Sequence, residues 1–371
     1  MELFASGLVK VREAGGVGGE RAVGGLFDGL GGDRPLIHFY YPPGAANAAA
    51  RDSIHVFAAN RDGGYVWTVK TYGALAGLGF PCRLTDQLPE EGIILTHRQF
   101  LPNEIVPNDR QLLVCIVADF YRHPSAQLHL VQNPGDPLLV RPSRKWPAVF
   151  LPSWPEAGLI RRDPARGDAF VNVSYYGLPK RLAPQLRNER FARLLQEQGF
   201  NFRIVDRHHW NDYSDTDAVL AVRSFAKVSF HKYPAAKLYN SWIAGVPALL
   251  GSESAYRAER RNAYDYFEVE SVSDTLRTLE RLRSDPALRA AIARNCAERA
   301  PEVSEDRTAA RWVEFLRTVA VPAYDAWRGR SASSRRAFLR ARRLAYAAFA
   351  GRDFAVRADG FVRKQIRAAL P

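Results

Sequence analysis

Residues 229–254 read Ser229-Phe-His-Lys-Tyr-Pro-Ala-Ala-Lys-Leu-Tyr-Asn-Ser-Trp-Ile-Ala-Gly-Val-Pro-Ala-Leu-Leu-Gly-Ser-Glu-Ser254. Local rules divide this stretch into a loop, a short helix, a tight turn and a buried strand. Pro234 suits a first helical turn, where its missing N–H costs nothing. Residues 235–244 are helix-compatible, with Leu238, Trp242 and Ile243 on one side and Lys237, Tyr239 and Asn240 on others. Gly245 stands where a helix stops at positive φ. Residues 246–250 form a short apolar run of the kind that parallel sheets bury. Gly251-Ser-Glu-Ser254 then leaves that strand at its carboxyl end, where open α/β sheets bind ligands. A helix N-terminus, Lys232, Lys237 and the strand-end acid Glu253 therefore come together. That set suits a sugar nucleotide, with diphosphate at the helix start and hydroxyls at the acid.

The 371 residues suit two domains of ordinary size, and 47% hydrophobic with 25% charged residues is a globular composition. A net charge of +13 favours anionic partners such as nucleotides, phospholipid surfaces or nucleic acid. Cys82, Cys115 and Cys296 are far apart and form neither a metal spacing nor an even disulfide set, so a reducing, cytoplasmic compartment is expected. No apolar run reaches the length of a transmembrane helix, and the N-terminus lacks the basic and apolar regions of a signal peptide.

Upstream, residues 1–33 hold ten glycines, including Gly15-Gly-Val-Gly-Gly19. No strand precedes them and no Gly-Lys-Ser/Thr ends them, so they read as a loosely packed extension and not a phosphate loop. Strands are expected at 36–41 and 54–59. Asn60-Arg-Asp-Gly-Gly-Tyr-Val-Trp67 follows the second and leads into a helix to about Leu78. Strand, Gly-Gly and helix can aim free N–H groups at an anion, and a plain βα turn fits as well. Buried strands at 93–96 and 112–117 end in His97-Arg98 and Asp119-Phe-Tyr-Arg-His123, and 127–132 is a further strand. Prolines crowd residues 133–168, which disfavours helix and central strand and marks a boundary. A second α/β unit follows, with strands at 169–174, 201–205, 218–222 and 266–269 and a turn at Tyr175-Tyr-Gly177. Its helices are expected at 186–198, 272–284, 286–299 and 307–319. The expected division is an extension (1–33), a first Rossmann-like domain (34–160), a second (161–320) and a basic helical tail (321–371).

That tail carries twelve basic and three acidic residues, a net +9. Phe338, Leu339, Ala345, Tyr346 and Phe349 share one helical face, with Arg336, Arg340 and Arg343 largely elsewhere. Such a basic amphipathic helix either lies on an anionic membrane or packs on the body with its arginines in solvent.

Lys232-x-Pro234-x-x-Lys237-Leu-x-Asn240-x-Trp-x-Ala-Gly245-Val-Pro247 resembles the donor-binding segment of GT-B-fold glycosyltransferases, closest to the bacterial glycosyltransferase family 1/4-like group. Trp210-x-Asp212-Tyr-Ser-x-x-Asp217, Arg223 and Gly251-x-Glu253-x-x-Tyr256-Arg257 fit the same group. The resemblance covers about residues 169–300. It implies an α/β chain of two Rossmann-like domains facing across a cleft, donor on the second and acceptor on the first. It implies a UDP- or GDP-linked sugar as co-substrate, no other cofactor, no metal, and a glycan or lipid-linked acceptor in bacterial surface-polysaccharide synthesis. Contact with the inner membrane would be peripheral. By position, Arg223, Lys232 and Lys237 would face phosphate with Asn240 nearby, Glu253 would take ribose or sugar hydroxyls, and Tyr176 and Gly177 would belong to the first donor-side loop along with Tyr175. Gly251 would precede the acid.

The paired glutamates of retaining family members, seven residues apart before the Gly-x-Pro turn, are absent, so inversion is the expectation. An inverting enzyme needs a base for the acceptor hydroxyl, and Asp119, Asp62, His97 and His123 are candidates. Asp215-Thr-Asp217 imitates a metal motif but heads a strand, where Asp caps turns. His208-His209 lacks the spacing of a zinc site, and Trp210 and Trp242 read first as core and second as stacking platforms. Two other functions fit less well. One is a sugar-nucleotide epimerase or hydrolase of the same fold, and the other a non-catalytic anion- or nucleic-acid-binding protein. Nucleic acid is disfavoured because no recognisable binding motif accompanies the charge.

Overall fold

The computed structural model describes residues 35–44, 63–143 and 145–369, with side chains described to residue 351. Two parallel sheets organise these residues. The first runs in the order β2-β1-β3-β4-β5-β6. Its strands are β1 (Ile37–Tyr40), β2 (Arg83–Thr85), β3 (Gly92–His97), β4 (Gln111–Ile116), β5 (Leu128–Val131) and β6 (Ala148–Phe150). The second runs β11-β10-β9-β7-β8. It consists of β7 (Asn172–Tyr176), β8 (Asn201–Val205), β9 (Ala218–Ala221), β10 (Ala248–Leu250) and β11 (Phe267–Glu268). Every residue of β3, β4 and β5 is buried. Parallel strands covered on both faces must be apolar almost throughout, which is why these runs were readable.

Differences from the expected elements have local causes. Strand β2 pairs with β1 although Arg-Leu-Thr shows no apolar run, because it is an outer strand with one neighbour. Strand β6 lies within the proline-rich segment. It is an edge strand, and Pro147 just before it supplies only its carbonyl, to the His129 N–H at 3.0 Å. Proline is tolerated in exactly that kind of place because no donor is needed there. Tyr175 and Tyr176 extend β7 instead of forming a turn, and the chain turns at Gly177. The expected strand at 54–59 and the glycine-rich stretch at 1–33 lie outside the described residues.

Helix α1 (Thr71–Gly77), continuous with a wider turn at Tyr65–Lys70, belongs to the first unit. Helices α2 (Glu189–Glu197), α3 (Ala236–Ala244), α4 (Val272–Ser284) and α5 (Pro286–Arg299) belong to the second. The chain then crosses back. From α6 (Glu305–Phe315) through α7 (Val321–Arg328), the residues Trp312, Phe315, Leu316, Val319, Tyr324 and Trp327 share one core with Phe39, Ile93 and Val114 of the first sheet. The Trp327 indole donates to the Asn108 carbonyl at 2.8 Å. A division at residue 320 therefore runs through a single packed unit.

The final helix, α8 (Ala332–Ala369), corrects the membrane-lying reading of the tail's apolar face. Phe338 and Leu339 pack on the same core, while Ala345 and Tyr346 pack on the cluster around Leu113 and Trp146. Phe349 meets Tyr121 with ring centres 5.3 Å apart. Over the described side chains, the apolar stripe is covered by the first domain, and burying it there removes the area that lipid would have gained. Among the described residues no helix is long and apolar enough to cross a membrane.

The start of the second sheet hangs on Asp217, which is buried at 1% exposure. Its carboxylate accepts from the N–H groups of Val171 and Asn172, both at 2.9 Å, and from the guanidinium groups of Arg162 and Arg166. Arg166 and Arg203 also hold Asp215. Both acids of the Asp-x-Asp sequence are thus committed to arginines. Burial works to raise the Asp217 carboxyl, but Arg166, the two backbone N–H groups and Arg162 outweigh it and hold it below the ordinary carboxylate range. A depressed carboxyl contributes its stability above the unfolded pKa and loses it as pH falls through the folded value. Asp217→Asn is therefore expected to cost about 3 kcal/mol near neutral pH in urea unfolding, with the gap to wild type closing in acid. An unchanged midpoint would show that the cluster is not needed.

Candidate active site

The carboxyl ends of both sheets face one cleft, a cavity of about 320 Å³. Its second-domain wall is built on α3. Gly245 ends this helix in the left-handed conformation at φ 75°, with its N–H on the Ser241 and Trp242 carbonyls. That conformation favours glycine. Leu238, Tyr239 and Trp242 are buried behind the helix, and the Trp242 indole donates to the Asp265 carbonyl at 3.0 Å, so this tryptophan is core. The opposite side, with Pro234, Ala236 and Lys237, lines the cleft. No side chain caps the N-terminus of α3, so the positive end of its dipole is open to an anion.

Lys237 is partly open to the cleft, with Nζ 5.7 Å from the centre of the Tyr175 ring. Burial, followed by the charge of Arg223, lowers its pKa to about 8, against the opposing pull of Glu253 and Glu156. Arg223 donates from Nε to Glu253 Oε2 at 2.9 Å. Burial disfavours the Arg223 charge, but Glu253 outweighs it and the guanidinium titrates above its ordinary value. Glu253 is 2% exposed, and its second oxygen, Oε1, has no hydrogen-bond partner. Arg181 donates to the Tyr233 hydroxyl, and Tyr233 presents its ring to Arg223 at 4.1 Å and to Arg181 at 5.0 Å. Tyr176 and Gly177 line the same wall. The Tyr176 hydroxyl bonds to the Asp212 carbonyl at 2.8 Å, and a Cβ on Gly177 would come within 2.7 Å of the Tyr175 hydroxyl. Trp210 also lines the cleft, its indole donating to the Val205 carbonyl at 3.1 Å.

The first-domain wall begins where β4 ends. Ala118 has φ 42°, an uncommon conformation for a residue with a Cβ, and the next residue, Asp119, turns out of the strand into the cleft. Strained backbone of this kind concentrates at functional sites. The cleft walls desolvate the Asp119 carboxyl and raise its pKa, while Arg181, Arg223 and Lys232 pull it down. Gly63, Trp67 and Gln132 complete the wall. His97 lies behind it, buried at 1% exposure, with Nε2 3.3 Å from where a Cβ on Gly63 would sit and its ring 5.4 Å from that of Phe120. Asp62 lies outside the described residues.

His123 is a structural group and not a base. Its Nδ1 accepts the N–H groups of Ser125 and Ala126 at 3.1 and 3.0 Å, and Nε2 donates to the Pro102 carbonyl at 2.9 Å. Burial pushes its pKa down to about 4, so the ring stays neutral with both nitrogens occupied.

Three of the expected donor residues have other positions. Lys232 sits over the Tyr121 ring, 3.0 Å from its centre, as a bridge between the domains. Asn240 borders the cleft, but its side-chain oxygen accepts the Glu156 N–H at 3.1 Å and ties the linker to α3. Gly251 packs behind the wall, where a Cβ would lie 3.2 Å from Val222. Asn133 adds a further bridge, donating to the Tyr233 carbonyl at 3.1 Å and to the Ser254 hydroxyl at 2.9 Å. His208 and His209 lie on an exposed turn after β8.

Sequence reasoning missed Arg181, Tyr233, Gln132 and Glu156, all of which line the cleft. Arg181, in Leu178-Pro-Lys-Arg181, and Gln132 both follow strand ends, a signal that was available. Glu156 sits in the proline-rich linker, where no motif points to it.

No family model matches the chain, and no curated protein does. Among solved structures it is similar to sucrose-phosphate synthase from Thermosynechococcus elongatus, at 13% identity over 73% of this chain and 80% of that one, with a TM-score of 0.44. It is also similar to Anabaena HepE in complex with UDP, at 12% identity over 77% of this chain and 100% of that one, with a TM-score of 0.47. The same protein in complex with UDP-glucose matches at 12% identity over 76% of this chain and 99% of that one, with a TM-score of 0.46. These are distant similarities, and the chemistry of the cleft is read from its own residues.

Asp119 and Glu253 are expected to separate under substitution. Asp119 is exposed in the cleft, so Asp119→Asn should leave stability within about 0.5 kcal/mol of wild type. Glu253→Gln strands the Arg223 charge and should cost about 3 kcal/mol. Chemical unfolding of both variants tests this, and equal losses would contradict the assignment.

Proposed function

We propose that the chain is a metal-independent, inverting glycosyltransferase. In this reading it moves a sugar from a UDP- or GDP-linked donor to a glycan or lipid-linked acceptor in bacterial surface-polysaccharide synthesis. The observation that carries this is the convergence of Lys237, Arg223 and Arg181 beside the uncapped start of α3, with one carboxylate, Asp119, on the facing wall. The donor diphosphate lies against α3, where the three cations and the helix dipole supply the positive charge that the leaving group needs. Glu253 acts by holding Arg223 in place, because its Oε1 is buried and Glu253 does not line the cleft.

The acceptor hydroxyl attacks the anomeric carbon as the bond from that carbon to the diphosphate oxygen breaks. Asp119 takes the hydroxyl proton, and the electron pair leaves with the diphosphate. A base on the wall opposite the leaving group suits a single displacement, which inverts the anomeric centre. Arg336, Arg340 and Arg343 are exposed on α8, and such a basic surface suits an anionic bilayer carrying a lipid-linked acceptor.

Calorimetry with a panel of UDP-, GDP- and ADP-sugars tests the donor half, and no binding by any of them would overturn it. Lys237→Ala is expected to weaken binding by about 30–100-fold, the worth of a charge-assisted contact. Affinity should also fall as pH rises through the Lys237 pKa of about 8, because the neutral amine no longer attracts phosphate. Lys237→Arg should remove that pH dependence. For the acceptor half, Asp119→Asn should lower kcat by about 10²–10⁴-fold with donor affinity kept. Donor converted equally well without acceptor would favour an epimerase or hydrolase.

A further inference from the structure

Away from the cleft, α8 carries a charged side chain into the interior of the first domain. Arg342 is 1% exposed, and its Nε, Nη1 and Nη2 have no hydrogen-bond partner. Its guanidinium lies 4.5 Å from the centre of the Trp146 ring and 5.0 Å from that of Phe338. Two aromatic faces offset part of the cost of burying a cation, but they accept none of its N–H groups. Desolvation lowers its pKa only to about 9, so the group is still cationic at neutral pH.

Among the described residues, the groups that bear on the Arg342 charge are Cys115 and Arg122, neither of them a carboxylate. Arg122 stacks on the same Trp146 ring at 5.2 Å. His129, a second neighbour of Trp146 at 5.9 Å, is itself held neutral by burial and then by the Arg342 charge. Its Nε2 lies 3.1 Å from the His123 nitrogen and 3.3 Å from the His123 carbonyl oxygen, so the His123 backbone occupies it in either neutral tautomer. Nδ1 is buried and has no partner either. Among the described residues, a buried guanidinium without an acceptor and a buried imidazole nitrogen without a partner therefore meet at one tryptophan.

We propose that the Arg342 guanidinium beneath α8 holds a small inorganic anion of chloride size through its unpartnered N–H groups. Its full burial limits the ligand to a monatomic or similarly compact anion. Filling the site supplies the missing acceptor and fixes α8 on the first domain. Through Phe349 against Tyr121, and Lys232 over Tyr121, the helix position reaches the rim of the cleft. Nothing in this site depends on the glycosyltransferase reading.

The test is thermal unfolding of the full chain at constant ionic strength, with chloride replaced stepwise by gluconate. A saturable rise in melting temperature of roughly 2 °C with chloride is expected, as mass action on a native-state site requires. Arg342→Met should lose this response. Arg343→Gln, the same charge change at an exposed neighbour on α8, should keep it. A wild-type chain indifferent to chloride, or an Arg342→Met chain that responds as wild type does, would overturn the proposal. If Arg342→Met does not fold, anomalous diffraction from wild-type crystals grown in bromide decides the matter. A bromide peak beside Arg342 supports the site, and its absence refutes it.

Discussion

The buried pair of Arg223 and Glu253 is the interaction on which the cleft depends. It joins the ends of two adjacent strands, β9 and β10, and puts a permanent cation at the base of the second-domain wall. Arg223 in turn adds to the burial that depresses Lys237, joins Arg181 in pulling on Asp119 across the cleft and stacks on Tyr233. A guanidinium at this depth is stable only with a carboxylate beside it, and Glu253 spends one oxygen on that task. Its other oxygen is buried and has no hydrogen-bond partner. One ion pair thus sets the charge and the geometry of this wall together.

The second determinant is the return of the chain to its first domain. Helices α6 and α7 close the core of the first sheet, and α8 covers part of it, so the two domains are joined by two segments and not one. Asn240 grips the outgoing segment at Glu156, while Asn133 and Lys232 bridge the cleft edge itself. Lys232, expected to face phosphate, and Asn240, expected beside it, therefore hold the walls in relation to one another. This is a different use of the same polar groups, and it follows from placing them at the border between domains.

Much of the fold was legible because parallel strands buried on both faces are apolar throughout, as in Ile93–Leu95 and Leu112–Val114. The bounds of α4 and α5 were equally plain, since Ser271 and Asp285 cap them and Pro286 opens the second. Strands β2 and β6 were not, because short edge strands carry little apolar signal. The amphipathic stripe of α8 was visible, but periodicity gives the face and not what covers it. In the site, Lys237 and Glu253 were singled out from their positions at a helix start and a strand end, and Arg223 from the family resemblance. Arg181 was passed over although it follows a strand end, and Glu156 was missed because no motif marks its place in the proline-rich linker. Lys232 and His123 show the converse, being chemically apt residues that the tertiary structure commits elsewhere.

The most direct test of the central claim is a crystal structure of the chain with a bound nucleoside diphosphate. The diphosphate is expected at the start of α3, within hydrogen-bonding distance of Lys237 and Arg223, with the Asp119 carboxylate facing it across the cleft. A nucleotide bound elsewhere, or one in the cleft whose phosphates avoid both cations, would contradict the claim.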